Sequence, residues 1–302
     1  MTQQLMMRTW HYFLRVCAMA LAAALLAAPT AQASPRSKHL VRYADVQIEV
    51  VAEGQGPLVV MLPSLGRDSD DYDAVAEAFV RGGYRVLRPA PRGMGRSTGP
   101  TTGHSLHSYA QDIAKVIEHE ASGPAVVIGH AYGNWVARTV ATDHPKQVRG
   151  VVIAAAASKR YDPRLTGYID KCEDASLPDD ERLKYLRLTF FAADSNPKPW
   201  LNGWHPEVKK AQRAARAATR IEEFWGAGNA PMLDLMAAED PFRLPETRDE
   251  NLHEFGDRVT VAVIPKASHA LIPEQPVAVA QAVSQWMRRL PVLQPGRVAD
   301  SR

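Results

Sequence analysis

Short apolar runs, bounded by turn residues and separated by amphipathic stretches, recur along the chain from about residue 46 to 290. From Val46 to Ala52, apolar Val46, Ile48 and Val50 alternate with Gln47 and Glu49, which predicts a strand. Gly54-Gln55-Gly56-Pro57 breaks it as a turn. Leu58 to Leu62 is continuously apolar, as in a strand buried on both faces, and Ala125 to Ile128 reads the same way. Further strands are predicted at Tyr84 to Leu87 and Val151 to Ile153, with helices at Asp73 to Arg81, over residues 106–120 and from about Tyr132 to Thr142. Strand and helix thus take turns, which implies a parallel sheet with helices on both faces.

The alternation stops at Ser158. From there to Gly228 the chain is charged, helical in tendency and dotted with Phe190, Phe191, Trp200, Trp204 and Trp225. Strand signals return at Met232 to Met236 and Val259 to Ile264, followed by a closing helix over residues 276–289. The reading is an α/β core in two parts, 34–157 and 229–290, with a helical cap over 158–228 inserted in the sheet order. The cap aromatics either form the cap's own small core or line a pocket, where aromatic-rich concave surfaces are usual. Residues 291–302 read as a trailing tail.

Composition adds a compartment. Residues 1–33 contain no acid and place Arg8 and Arg15 near an apolar run from Val16 to Ala28, with Ala31-Gln32-Ala33 after it. That order predicts a signal peptide cleaved before Ser34, hence an exported protein, periplasmic or extracellular, with no stable membrane partner afterwards. An uncleaved N-terminal anchor is the alternative. Of the two cysteines, Cys17 lies in this leader, so Cys172 has nothing to pair with and a disulfide scaffold is excluded. The formal charge is +3 including both leader arginines, so the mature chain is about neutral. No Lys/Arg stripe accompanies that balance, and no nucleic-acid partner is expected.

The strand at 125–128 runs into Gly129-His130-Ala131-Tyr132-Gly133-Asn134 and then a helix. Strand, G-x-x-x-G, helix is the setting of a nucleophile elbow, a strained turn that presents one side chain above the sheet. Pro91 to Ser97, Glu239-Asp240-Pro241 and Ala267-Ser268-His269 occur in the matching order downstream of strands. With these motifs, residues 46–290 resemble the α/β-hydrolase superfamily. The resemblance implies a mostly parallel sheet with helices on both faces and an inserted helical cap. It also implies His269 as the catalytic histidine and Asp240 as its acid, with Glu239 an alternative. The backbone N–H groups of Tyr132 and Leu65 would form the oxyanion hole.

The centre departs from the family. Ala131 stands where a serine, aspartate or cysteine is expected, and a methyl group cannot attack a carbonyl. Pro63-Ser64 replaces the His-Gly before the oxyanion residue, and Ala90 the usual acid before the Arg-Gly loop. A backbone oxyanion hole survives such replacements, and a His-Asp dyad still supplies a base. The function expected is therefore cofactor-independent chemistry on a small, largely apolar ester or carbonyl compound, with His269 and Asp240 catalytic. The alternative is a non-catalytic binding protein that keeps the pocket. Ser64, Trp135, Trp200 and Trp204 are candidate pocket residues; Ser64 also reads as a turn residue, and Tyr132 and Trp135 as helix core. His104 and His107 lack a third ligand nearby, so no metal is expected.

Overall fold

The computed structural model describes residues 35–291. The leader, its cleavage point before Ser34 and residues 292–302 lie outside the described residues.

Eight strands form one sheet in the order β1-β2-β4-β3-β5-β6-β7-β8. These are β1 (Ser37–Tyr43), β2 (Val46–Gly54), β3 (Leu58–Leu62), β4 (Arg85–Pro89), β5 (Ala125–His130), β6 (Val148–Ala154), β7 (Met232–Ala237) and β8 (Val259–Ile264). β2 runs antiparallel to both β1 and β4, and every other pairing is parallel. The strands with continuous apolar runs take the interior. In β3, Val59 and Met61 enter one core with Tyr72, Val75 and Phe79, while Val60 and Leu62 enter the other with Tyr109 and Ile113. That two-residue alternation requires apolar side chains at every position of a strand covered on both faces.

Helices α1 (Asp73–Arg81) and α9 (Pro276–Met287), with the short α8 (Leu271–Glu274), cover one face; α2 (Leu106–Glu120) and α3 (Gly133–Asp143) cover the other. The first strand and helix α7 (Glu250–Phe255) had no counterpart in the sequence pattern. β1 lies at the sheet edge, where only Val41 of its seven residues is buried, so it carries almost no hydrophobic signal.

The stretch 158–228 contains α4 (Arg164–Glu173), α5 (Asp179–Thr189) and α6 (Pro206–Ala217), two short 3₁₀ turns at Lys198–Leu201 and Ile221–Glu223, and no strand. Cys172, Leu186, Phe190, Phe191 and Trp200 make its separate small core. Arg67, from the loop after β3, lies over Trp200 at 4.4 Å and Trp204 at 4.7 Å. The same guanidinium donates to both oxygens of Asp71 at 2.8 Å, so one side chain ties the cap to the sheet.

Candidate active site

The loops after β3, β5, β7 and β8 meet outside the carboxyl ends of the strands, the usual place for a site in such a sheet. β5 ends at His130 and α3 begins at Gly133, which leaves Ala131 with φ +48° in the left-handed region. Two glycines make the turn possible through close backbone approach. A Cβ on Gly129 would stand 2.3 Å from the Gly133 carbonyl oxygen, and one on Gly133 2.5 Å from that of Leu62. The Ala131 N–H donates to the Ala154 carbonyl at 2.9 Å, and the methyl faces a cavity of about 280 Å³.

His269 lines the same cavity. Its Nδ1 lies 2.9 Å and 3.1 Å from the two carboxylate oxygens of Asp240, whose side chain is 1% exposed. The Phe242 N–H donates to Asp240 Oδ1 at 2.9 Å, and the Phe242 ring lies 4.2 Å from the imidazole. A carboxylate at Nδ1 places the proton there and leaves Nε2 as an acceptor. Among the described residues no protein group bonds Nε2. Glu239, the alternative acid, instead lines a surface groove with Arg187 and Ser268. Glu274 ties the histidine loop down, accepting from the N–H groups of Ser268 at 2.7 Å and Ala192 at 2.8 Å.

Leu65 and Tyr132 also line the cavity, and among the described residues neither backbone N–H meets a protein acceptor. Ser64 and Trp135 line it as expected. Tyr132 is wall and core at once, because its ring packs against Trp135 and its hydroxyl donates to the Gln212 carbonyl at 3.1 Å. Trp200 and Trp204 need correcting: neither lines this cavity. Both rings are occupied with Arg67 and with each other, in the cap's own core. Phe190 reaches the cavity from that core, together with Phe242, Tyr161, Arg213 and Arg216. Sequence reasoning missed the two arginines, whose only signal was their spacing of three on the predicted helical cap.

The other candidates are structural. Arg92 of the Arg-Gly loop grips Asp112 with two hydrogen bonds of 2.8 and 2.7 Å, away from the cavity lining. His107 is clasped by Asp143 at 2.7 Å and Glu223 at 3.0 Å, and His104 meets Arg92 instead. Among the described residues no group of three or more metal-type side chains is placed to hold an ion. Burial pushes the Cys172 thiol up to about 12, which keeps it unreactive.

His130, beside the elbow, links two of the site's loops. The Ser64 N–H donates to the Tyr72 hydroxyl at 3.0 Å, and that hydroxyl donates to His130 Nδ1 at 2.8 Å. His130 Nε2 then donates to the His269 carbonyl at 2.7 Å. Complete burial, and next the field of His269, pull the His130 pKa down to about 3. Because the folded value lies below the unfolded one, the stabilising effect is present above about pH 6.5 and is lost as pH falls toward 3. About 2 kcal/mol should disappear between pH 6.5 and 5. Urea titrations at pH 7.5 and 5.0 measure this, and His130→Gln should shrink the difference between them. An unchanged difference would assign the acid sensitivity to other groups.

An eight-stranded, mostly parallel sheet with an elbow after β5, an acid after β7 and a histidine after β8 defines the hydrolase class built on this fold. The chain belongs to the alpha/beta hydrolase family, whose sequence model matches residues 59–282. It is 25% identical over 236 residues to the protein named "Putative carbamate hydrolase RutD" from Variovorax paradoxus, across 74% of this chain and 88% of that one. A non-heme chloroperoxidase from Streptomyces lividans is 42% identical over 89 residues, which span 29% of this chain and 32% of the relative. Among solved structures, an esterase from Exiguobacterium antarcticum superposes with a TM-score of 0.68 at 19% identity, covering 83% of this chain and all of that one.

Proposed function

We propose that this is an exported hydrolase-like enzyme that acts on a small, largely apolar ester or carbonyl compound without a serine nucleophile. The observation that carries the reading is the dyad: Asp240 holds Nδ1 of His269, whose Nε2 has no protein partner among the described residues and whose ring lines a largely apolar, partly aromatic cavity. Nε2 removes a proton from water as the water oxygen bonds to the substrate carbonyl carbon. The charge passes to the carbonyl oxygen, which accepts from the N–H groups of Leu65 and Tyr132. On collapse the ester C–O bond breaks, and the leaving alkoxide takes the proton back from the imidazolium. Ala131 contributes space for that water and no covalent step. Export rests on the charge and hydropathy order of residues 1–33.

A second reading is a binding protein that has lost its chemistry, and the methyl of Ala131 at the attacking position favours it. His269→Ala separates the two. If the dyad is the base, turnover of a p-nitrophenyl butyrate substrate should fall by about 10²–10⁴ while ligand affinity is nearly retained. Wild-type protein with no turnover on a panel of such esters, and only a modest affinity change in His269→Ala, would establish the binding protein instead.

A further inference from the structure

The cavity has a charged end. Arg213 and Arg216 lie one turn apart on α6, and both line the wall, where no carboxylate does. Arg213 already has a carboxylate, its Nη1 being 2.9 Å from Asp170, although its Nη2 is buried without a partner. Arg216 is different. The buried arginines Arg67, Arg88, Arg92, Arg182 and Arg243 each meet a carboxylate, and Arg138 is bonded through all three nitrogens to Asn134, Asn251 and the Trp225 carbonyl; among the described residues Arg216 meets no carboxylate within ion-pair distance. Its guanidinium lies 5.0 Å from the ring of Trp135 and 5.0 Å from that of Phe224, and its Nη1 donates to the Thr219 carbonyl at 3.0 Å. Its Nε is buried without a partner. Nη2 is thus the nitrogen left neither bonded nor buried.

The position of this cation is firmly set. Gln212, the neighbour of Arg213, accepts from the Gly66 N–H at 2.8 Å through its side chain and from the Tyr132 hydroxyl at 3.1 Å through its carbonyl. At the far end of the helix, Thr219 accepts from the Leu106 N–H at 2.9 Å. Helix α6 is therefore fastened to the loop that carries Leu65, to the elbow and to α2. Burial lowers the Arg216 pKa from its ordinary value, a desolvation cost that the more distant Glu222 carboxylate offsets only in part.

We propose that the cavity takes a small organic acid, with its apolar body against Phe190 and Phe242 and its carboxylate received by Arg216. This rests on reading the cavity as the ligand site and narrows the substrate from an apolar compound to an amphiphilic anion. The volume of about 280 Å³ sits just under the usual range for ligand pockets, roughly 300–1,000 Å³. A carboxylate on Nη2 forms a charge-assisted hydrogen bond, the stronger kind.

Phenylacetate and phenylacetamide have the same shape and differ in charge, so calorimetric titration of both into the protein tests the proposal. The acid should bind at least about tenfold tighter than the amide, with affinity in the millimolar range or better. Arg216→Met should bring the acid down to the level of the amide and leave the amide unchanged, while Arg216→Lys should keep part of the preference. Equal binding of acid and amide to the wild-type protein, or no binding of either at about 10 mM, overturns the proposal without need of a folded variant. A preference that survives Arg216→Met overturns it as well. The two failures stay distinguishable, because turnover lost or never present in His269→Ala bears only on the dyad, whereas the acid-to-amide ratio, expected intact in that variant, bears only on Arg216.

Discussion

Ala131→Ser is expected to make the protein react with a fluorophosphonate probe and hydrolyse p-nitrophenyl esters on the order of a hundredfold or more faster than the wild type. The turn already has the required backbone: Ala131 is at φ +48°, and Gly129 and Gly133 permit the close approach of strand and helix. A hydroxyl in place of a hydrogen of that methyl faces the cavity that His269 also lines, and it gains a base already held by Asp240. In serine hydrolases, loss of the nucleophile alone costs about a millionfold in turnover, so even partial recovery is easily measured. Full recovery is not expected, because Pro63-Ser64 shapes the loop that supplies one oxyanion donor, and a lost donor costs about 10²–10³. A folded Ala131→Ser protein that neither labels nor hydrolyses would show that hydroxyl and imidazole stand too far apart.

Arg243→Leu should destabilise the fold by about 3–5 kcal/mol, read as a lowered urea midpoint with unchanged slope. Arg243 Nη2 lies 2.6 Å from Asp234 Oδ2, both side chains are almost completely buried, and Nη1 reaches Glu250 at 3.2 Å. Removing the guanidinium leaves the Asp234 carboxylate in the interior with Asn251 at 2.7 Å as its remaining side-chain donor. The Arg243 backbone N–H also donates to the Asp240 carbonyl at 3.2 Å, a bond that leucine keeps, so the loss reports the buried ion pair rather than the turn that carries Asp240. A double substitution, Arg243→Leu with Asp234→Asn, should recover much of the loss, since the stranded charge goes with it. A loss under about 1 kcal/mol in Arg243→Leu would mean that water or a rearranged neighbour compensates the carboxylate.

How far the site was legible depended on how local its determinants are. The elbow could be read because strand, glycine spacing and helix are contiguous, and both glycines prove to be required by contacts within the turn and with the end of β3. Asp240 and His269 were legible by their order after strands, but the choice between Asp240 and Glu239 was decided by which carboxylate turns toward the imidazole. The cap aromatics divide in a way their sequence does not encode. Phe190 reaches the cavity, whereas Trp200 and Trp204 are held by Arg67, which lies more than a hundred residues earlier.

By itself, the sequence determined the α/β class, the interior strands and the absence of a nucleophile at residue 131, because hydrophobic period and side-chain chemistry are local properties. It could not show the edge strand β1, which pairs through its backbone and buries little. Only the tertiary structure decided that His130 joins Ser64 to His269 through Tyr72, and that Arg216 faces the cavity without a carboxylate. Those relations join groups from separate loops and helices, and their energies depend on burial and direction, which arise when the chain is packed.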